Sequence, residues 1–95
     1  MALYAMLSSL TDEGRKTVKA NPGRVREVNH EVEGMGAKVV SQYAALGAFD
    51  FLTIIDAPDN LTIADISMQL GSRGTIQIQT IPLLEVDDFL AKVGS

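Results

Sequence analysis

No cysteine occurs among the 95 residues, which excludes disulfides and thiolate metal sites and leaves the redox compartment open. There is one histidine, His30. One imidazole without a thiol does not make a dedicated transition-metal site within one chain, although two chains can share one. No run approaches the roughly 18 apolar residues of a membrane span. The start, MALYAMLSSL, is apolar but lacks a basic residue near its beginning and a long hydrophobic run behind it. It reads as a strand and not as a secretory signal, so a cytoplasmic protein is the expectation.

Basic residues are also scarce in the second half. Residues 49–95 carry two Lys/Arg against seven acids, whereas residues 1–48 carry six against five. The basic residues that exist gather in Arg15, Lys16, Lys19, Arg24 and Arg26, interleaved with Asp12, Glu13 and Glu27. That pattern is a solvated helix face with i,i+4 ion pairs. A nucleic-acid footprint needs a denser basic patch with aromatics beside it, so nucleic acid is excluded as a partner.

What is present suffices for one domain. At 46% hydrophobic, residues 1–95 read as a single small domain with an adequate but thin core. Leu3–Ser8 reads as a strand. Thr11 looks like an N-cap, with Asp12 and Glu13 in a first helical turn where the dipole favours acids. Asn21-Pro22-Gly23 interrupts that helix, and Asn21 is placed to cap a second one with Pro22 at its first position. Val25, Val28, Val32 and Met35 then form one helical stripe, ended by Gly34 and Gly36.

Lys38–Ala44 and Phe49–Asp56 read as an antiparallel hairpin turning at Leu46-Gly47-Ala48. Asp59 or Asn60 caps a helix carrying Ile63, Ile66 and Leu70 on one face, stopped by Gly71 and Gly74. Thr75–Ile81 alternates as a strand, and a short helix follows from Asp87 to Lys92. The order β-α-β-β-α-β, as two interleaved right-handed β-α-β units, predicts a ferredoxin-like α+β plait: a four-stranded antiparallel sheet with its helices on one face.

Strand three conflicts with a lone copy of such a plait. Phe49, Phe51, Thr53 and Ile55 point one way and Leu52 and Ile54 the other, so both faces are apolar. Covering about 500 Å² of that surface is worth roughly 12 kcal/mol before association costs. A homodimer with its sheets face to face, a dimeric α+β barrel, or a higher oligomer of such dimers, is the expected assembly. With Leu52, Ile54, Ile76 and Ile78 assigned to the helices, Phe51, Thr53, Ile55, Gln77 and Gln79 would line the inter-sheet space. That lining suits either a small hydrophobic ligand or a wet dimer interface.

Tyr43-Ala44-Ala45-Leu46-Gly47-Ala48-Phe49-Asp50, then Ala57-Pro58-Asp59, then Leu70-Gly71-Ser72-Arg73-Gly74 together resemble the GYD family of small bacterial and archaeal proteins. The likeness runs from Leu10–Gly14 to Asp87–Phe89. It implies a ferredoxin-like, dimeric α+β barrel and brings no particular chemistry with it. The tyrosine that precedes the aspartate in the family is Phe49 here, which puts in doubt any role needing that phenol.

Asp50 is the one catalytic candidate. As a general base it would need a raised pKa and a substrate in reach. The structural alternative is favoured: its carboxylate accepts backbone N–H groups in the Gly47 turn or pairs with Arg73. His30 lies off the apolar stripe, as a surface histidine does. Tyr4 and Tyr43 read as packing residues. Gly71–Gly74 follows a helix and precedes a strand, the reverse of a phosphate cradle. No motif calls for a metal or cofactor. Three functions stay open: a binder of a small hydrophobic ligand, a cofactor-independent oxygenase or isomerase, and a structural or interaction module.

Overall fold

Alternating and 3.6-periodic segments become eight elements, and the computed structural model describes residues 2–95. They are β1 (Ala2–Leu10), α1 (Asp12–Ala20), α2 (Arg24–Gly34), β2 (Lys38–Ala44), β3 (Phe51–Ala57), α3 (Asn60–Gly71), β4 (Ile76–Pro82) and α4 (Val86–Val93). The strands form one antiparallel sheet in the order β2-β3-β1-β4. Central strands from the two halves of the chain lie side by side, which is the interleaving that defines the ferredoxin-like plait.

Local chemistry explains most of the boundaries. The Thr11 hydroxyl accepts the Gly14 N–H at 3.1 Å, capping α1. Asp59 Oδ1 accepts the Thr62 N–H at 2.8 Å, capping α3, and this bond holds the Asp59 carboxyl below its ordinary pKa. The expected cap at Asn21 is absent. Asn21 and Pro22 form a single turn, the Asn21 carbonyl accepting the Arg24 N–H at 3.0 Å, and α2 starts after Gly23 with no side-chain cap.

Nine buried side chains make the core: Tyr4, Met6, Val32, Ala37, Ile55, Ala57, Ile63, Ile66 and Leu70. All the strand residues in this set lie on one sheet face, beneath α2 and α3. The register fixes which face it is. Tyr4 sits opposite Ile55, Met6 opposite Thr53 and Thr80, and Ser8 opposite Phe51 and Ile78. Phe51, Thr53 and Ile55 therefore point toward the helices with Ile76 and Ile78, while Leu52 and Ile54 point away with Gln77 and Gln79. The expected orientation of β4 holds, and that of β3 is reversed.

The far face carries no helix. Leu3, Leu7, Leu52 and Ile54 are half-buried there, and Tyr43 and Ile81 are exposed. Helix α4 is uncovered as well. Every residue of it is exposed, and it contributes to a molecule 52 Å long but only 19 Å thick.

Candidate functional site

Two features of the fold merit description as sites: the turn around Asp50, and a cavity between the sheet and α1–α2.

β3 begins after a loop, residues 45–50, in which Gly47 has φ +116°, a conformation glycine adopts without the steric cost borne by other residues. The Ala45 N–H donates to the Asp50 carbonyl and the Asp50 N–H to the Ser8 carbonyl, both at 2.8 Å. The Asp50 carboxylate turns back on β1, where Oδ2 accepts the Leu10 N–H at 2.7 Å. Its donor is thus neither the Gly47 turn nor Arg73, the two partners that the sequence suggested. The acid replaces a ladder partner that β3 is too short to provide. A structural role fits this geometry, and the Ser9 hydroxyl supports it by donating to the Ala48 carbonyl at 3.0 Å.

The cavity arises because α2 presents valines, which are short, to the floor made by β1, β3 and β2. It measures about 210 Å³, and its apolar wall includes Met6, Val28, Val32, Ile55, Leu70 and Ile76. Phe51 and Thr53 also line it. Three of the five residues expected to line a ligand space thus do so, but beneath the helices and not between two sheets. Gln77 and Gln79 are exposed on the opposite face. The reason is parity: side chains alternate along a strand, so one residue of offset moves a whole set to the other side.

Polar groups in the cavity are few and mostly satisfied. The Asn29 amide donates to Gln42 Oε1 at 2.8 Å, and Gln42 Nε2 donates to Thr53 Oγ1 at 3.0 Å. At the rim, Arg24 pairs with Glu27 at 3.1 Å and Glu31 at 3.0 Å, and Arg73 bonds the other Glu31 oxygen. The hydrogen bond from Arg73 holds the Glu31 carboxyl below the usual carboxylate range, assisted by the charges of Arg73 and Arg24 and opposed by partial burial. Arg24 is raised, chiefly by its bond to Glu27. Nothing in the spacing of Arg24, Glu31 and Arg73, which are scattered along the chain, pointed to this cluster.

The remaining candidates are dispersed. His30 is 85% exposed along its side chain, 3.9 Å from Glu33. Tyr4 is buried, donating to Asn60 Oδ1 at 2.6 Å, while Tyr43 stands in solvent. Among the described residues, no cluster of three or more His, Asp and Glu side chains gathers as metal ligands. No carboxylate, imidazole or phenol lines the cavity.

Sheet order, helix placement and the Gly47–Asp50 turn together define a small ferredoxin-like α+β protein. The GYD domain family matches residues 4–93, and the chain belongs to that family. It is 40% identical over 94 residues to a Thermus thermophilus protein named "glutamine synthetase and cystathionine beta-lyase binding protein", with 98% of this chain and 99% of that one covered. The crystal structure of TTHA0845, also from Thermus thermophilus, shares the fold, with a TM-score of 0.57 at 16% identity over 90% of this chain and 95% of that one.

Proposed function

We infer that this protein is an interaction module that works as a homodimer and binds a metabolic enzyme. The observation that carries the reading is a pair of uncovered apolar surfaces, the far sheet face and one stripe of α4. Val86, Phe89, Leu90 and Val93 fall at i, i+3, i+4 and i+7, one stripe of α4, with Asp87, Asp88 and Lys92 on the other side. All four stripe residues are more than half exposed. An amphipathic helix with a bare apolar stripe is a partner surface.

Size decides how the surface is used. Four strands about 4.8 Å apart, each near seven residues at about 3.3 Å, give a face on the order of 450 Å². A standard stable interface takes roughly 800 Å² per partner. The flat footprint of the sheet is small, and in this reading α4 enlarges the interface by crossing onto the second copy. One carboxylate oxygen of Asp56, at the end of β3, is buried with no hydrogen-bond partner. A donor from the second copy would relieve it, since an unpaired buried acceptor costs about 1–3 kcal/mol.

The surface supports the choice of a second copy; the 40% identical relative supports the choice of enzyme. Glutamine synthetase and cystathionine beta-lyase are therefore the partners to test, by isothermal titration of each purified enzyme with this protein. Saturable binding of either supports the reading. No heat with both at tens of micromolar overturns the enzyme partner and leaves the dimer to its own test. The oxygenase or isomerase reading has less support, because the cavity collects no pair of titratable groups that acid–base work requires.

A further inference from the structure

We propose that the cavity beneath α1 and α2 is a binding site for a small, uncharged, mostly apolar molecule carrying one hydroxyl or carbonyl oxygen. This site is separate from the sheet face and α4, and it stands whether or not the protein dimerises.

Volume comes first. At about 210 Å³, the space exceeds the roughly 150 Å³ apolar cavity that takes up benzene. A single substituted ring fits. The walls are mainly valine, methionine, isoleucine and leucine, which favour an apolar occupant.

Two hydroxyls on the floor then orient it. Ser8 is 93% buried, with 7% of its surface exposed. It lines the cavity, so its side chain borders the space a ligand would fill. Thr53, 5% exposed, accepts from Gln42 and keeps its own hydrogen to donate. Ser8 faces Phe51 and Met6 faces Thr53 across the β1–β3 pair, so Ser8 and Thr53 are diagonal neighbours on one face, roughly 7–8 Å apart, and either hydroxyl can bond the ligand oxygen. Hydroxyls on the floor of a mainly apolar cavity are the groups that fix the orientation of a bound ligand.

The rim sets the charge of the ligand. Arg24 and Arg73 stand at the cavity, each paired with a carboxylate: Arg24 through Nη1 with Glu27 and Glu31, Arg73 through Nη2 with Glu31. With Glu27 and Glu31 beside them the charge of this rim sums to zero, which suits an uncharged ligand.

Methyl and amide NMR of the intact protein, titrated with p-cresol, toluene and benzoate, tests this. Saturable shifts at Met6, Val28, Val32 and Ile55 are expected with p-cresol, weaker ones with toluene and none with benzoate. Ser8→Ala should weaken p-cresol about tenfold and leave toluene unchanged. Val28→Phe, which fills the space, should abolish both while the spectrum stays dispersed, and it carries the test if Ser8→Ala does not fold. Three results overturn the proposal: no binding of p-cresol at millimolar concentration, benzoate binding as well as p-cresol, or shifts confined to Leu52, Ile54, Gln77 and Gln79 on the opposite face.

Discussion

The Asp50 carboxylate accepts the Leu10 N–H at 2.7 Å, tying the start of β3 to the last residue of β1 across 40 positions of chain. The same residue's N–H reaches the Ser8 carbonyl, so one aspartate holds both the backbone and the side-chain ends of this corner. Asp50→Ala leaves the Leu10 N–H unpaired and should lower stability by about 1–3 kcal/mol. Asp50→Asn keeps an acceptor oxygen and should lose less. Urea denaturation of both variants checks this. A rise in midpoint for either would instead mark an acid held at a functional site against its own stability.

Gly14 gives a sharper contrast. A Cβ on Gly14 would lie 2.0 Å from the Thr75 carbonyl oxygen, in the same corner where the Thr11 N–H donates to that oxygen at 3.0 Å. Neither atom belongs to a flexible side chain, so α1 has to lift off. Gly14→Ala should cost at least about 1–3 kcal/mol, as overpacking does. Gly34, the last residue of α2, has nothing within 4 Å of the place a Cβ would take, and no positive φ. Gly34→Ala should therefore stabilise by about 0.4–1 kcal/mol through the unfolded chain. Thermal melts of the pair would show shifts of opposite sign.

Much of this architecture was legible in the sequence because independent signals agreed. Thr11 and Asp59 cap their helices as their positions suggested, and Lys38–Ala44 is a strand with the expected limits. In β4, isoleucines alternate with glutamines, so Ile76 and Ile78 could face only the helices. β3 offered no such contrast: Phe51 and Ile55 against Leu52 and Ile54 is apolar on both sides, and a single-residue offset decides the outcome. The cavity followed that parity. Its polar contacts join Asn29 on α2, Gln42 on β2 and Thr53 on β3, a convergence created by tertiary packing that no local spacing announces.

The Arg24–Glu31–Arg73 cluster makes stability depend on acid pH. Glu31 has its folded pKa lowered, so the stabilisation it brings is present above the ordinary carboxylate pKa. That contribution is lost as pH falls through the lower folded value. The groups are about one-third exposed, so solvent screening keeps the effect small. Glu31→Gln should lower stability by about 0.5–1 kcal/mol at pH 7, and the difference from the parent should narrow as pH falls below the ordinary carboxylate range. Urea midpoints of parent and variant at pH 7, 5 and 3 check the sign; a gap that widens on acidification contradicts it.

Assembly can be separated from folding because α4 stands clear of the body. Leu83 is the last residue tied to it, its N–H donating to the Leu3 carbonyl at 2.9 Å, so a chain ending at Leu84 should keep the plait. Dimerisation should suffer. If Val86, Phe89, Leu90 and Val93 bury even part of their surface on the second copy, removing them takes away at least about 3 kcal/mol per dimer. At about 1.4 kcal/mol per tenfold, the dissociation constant should then rise roughly a hundredfold. Leu52→Lys, a single charge in the centre of the sheet face, should act in the same direction. Sedimentation equilibrium at micromolar concentration is the measurement: the parent is expected as a dimer of 10.2 kDa chains, and each variant should shift toward the mass of its own single chain. A parent that already sediments as a stable monomer defeats the dimer, and the sheet face with α4 would then be free for the enzyme partner itself.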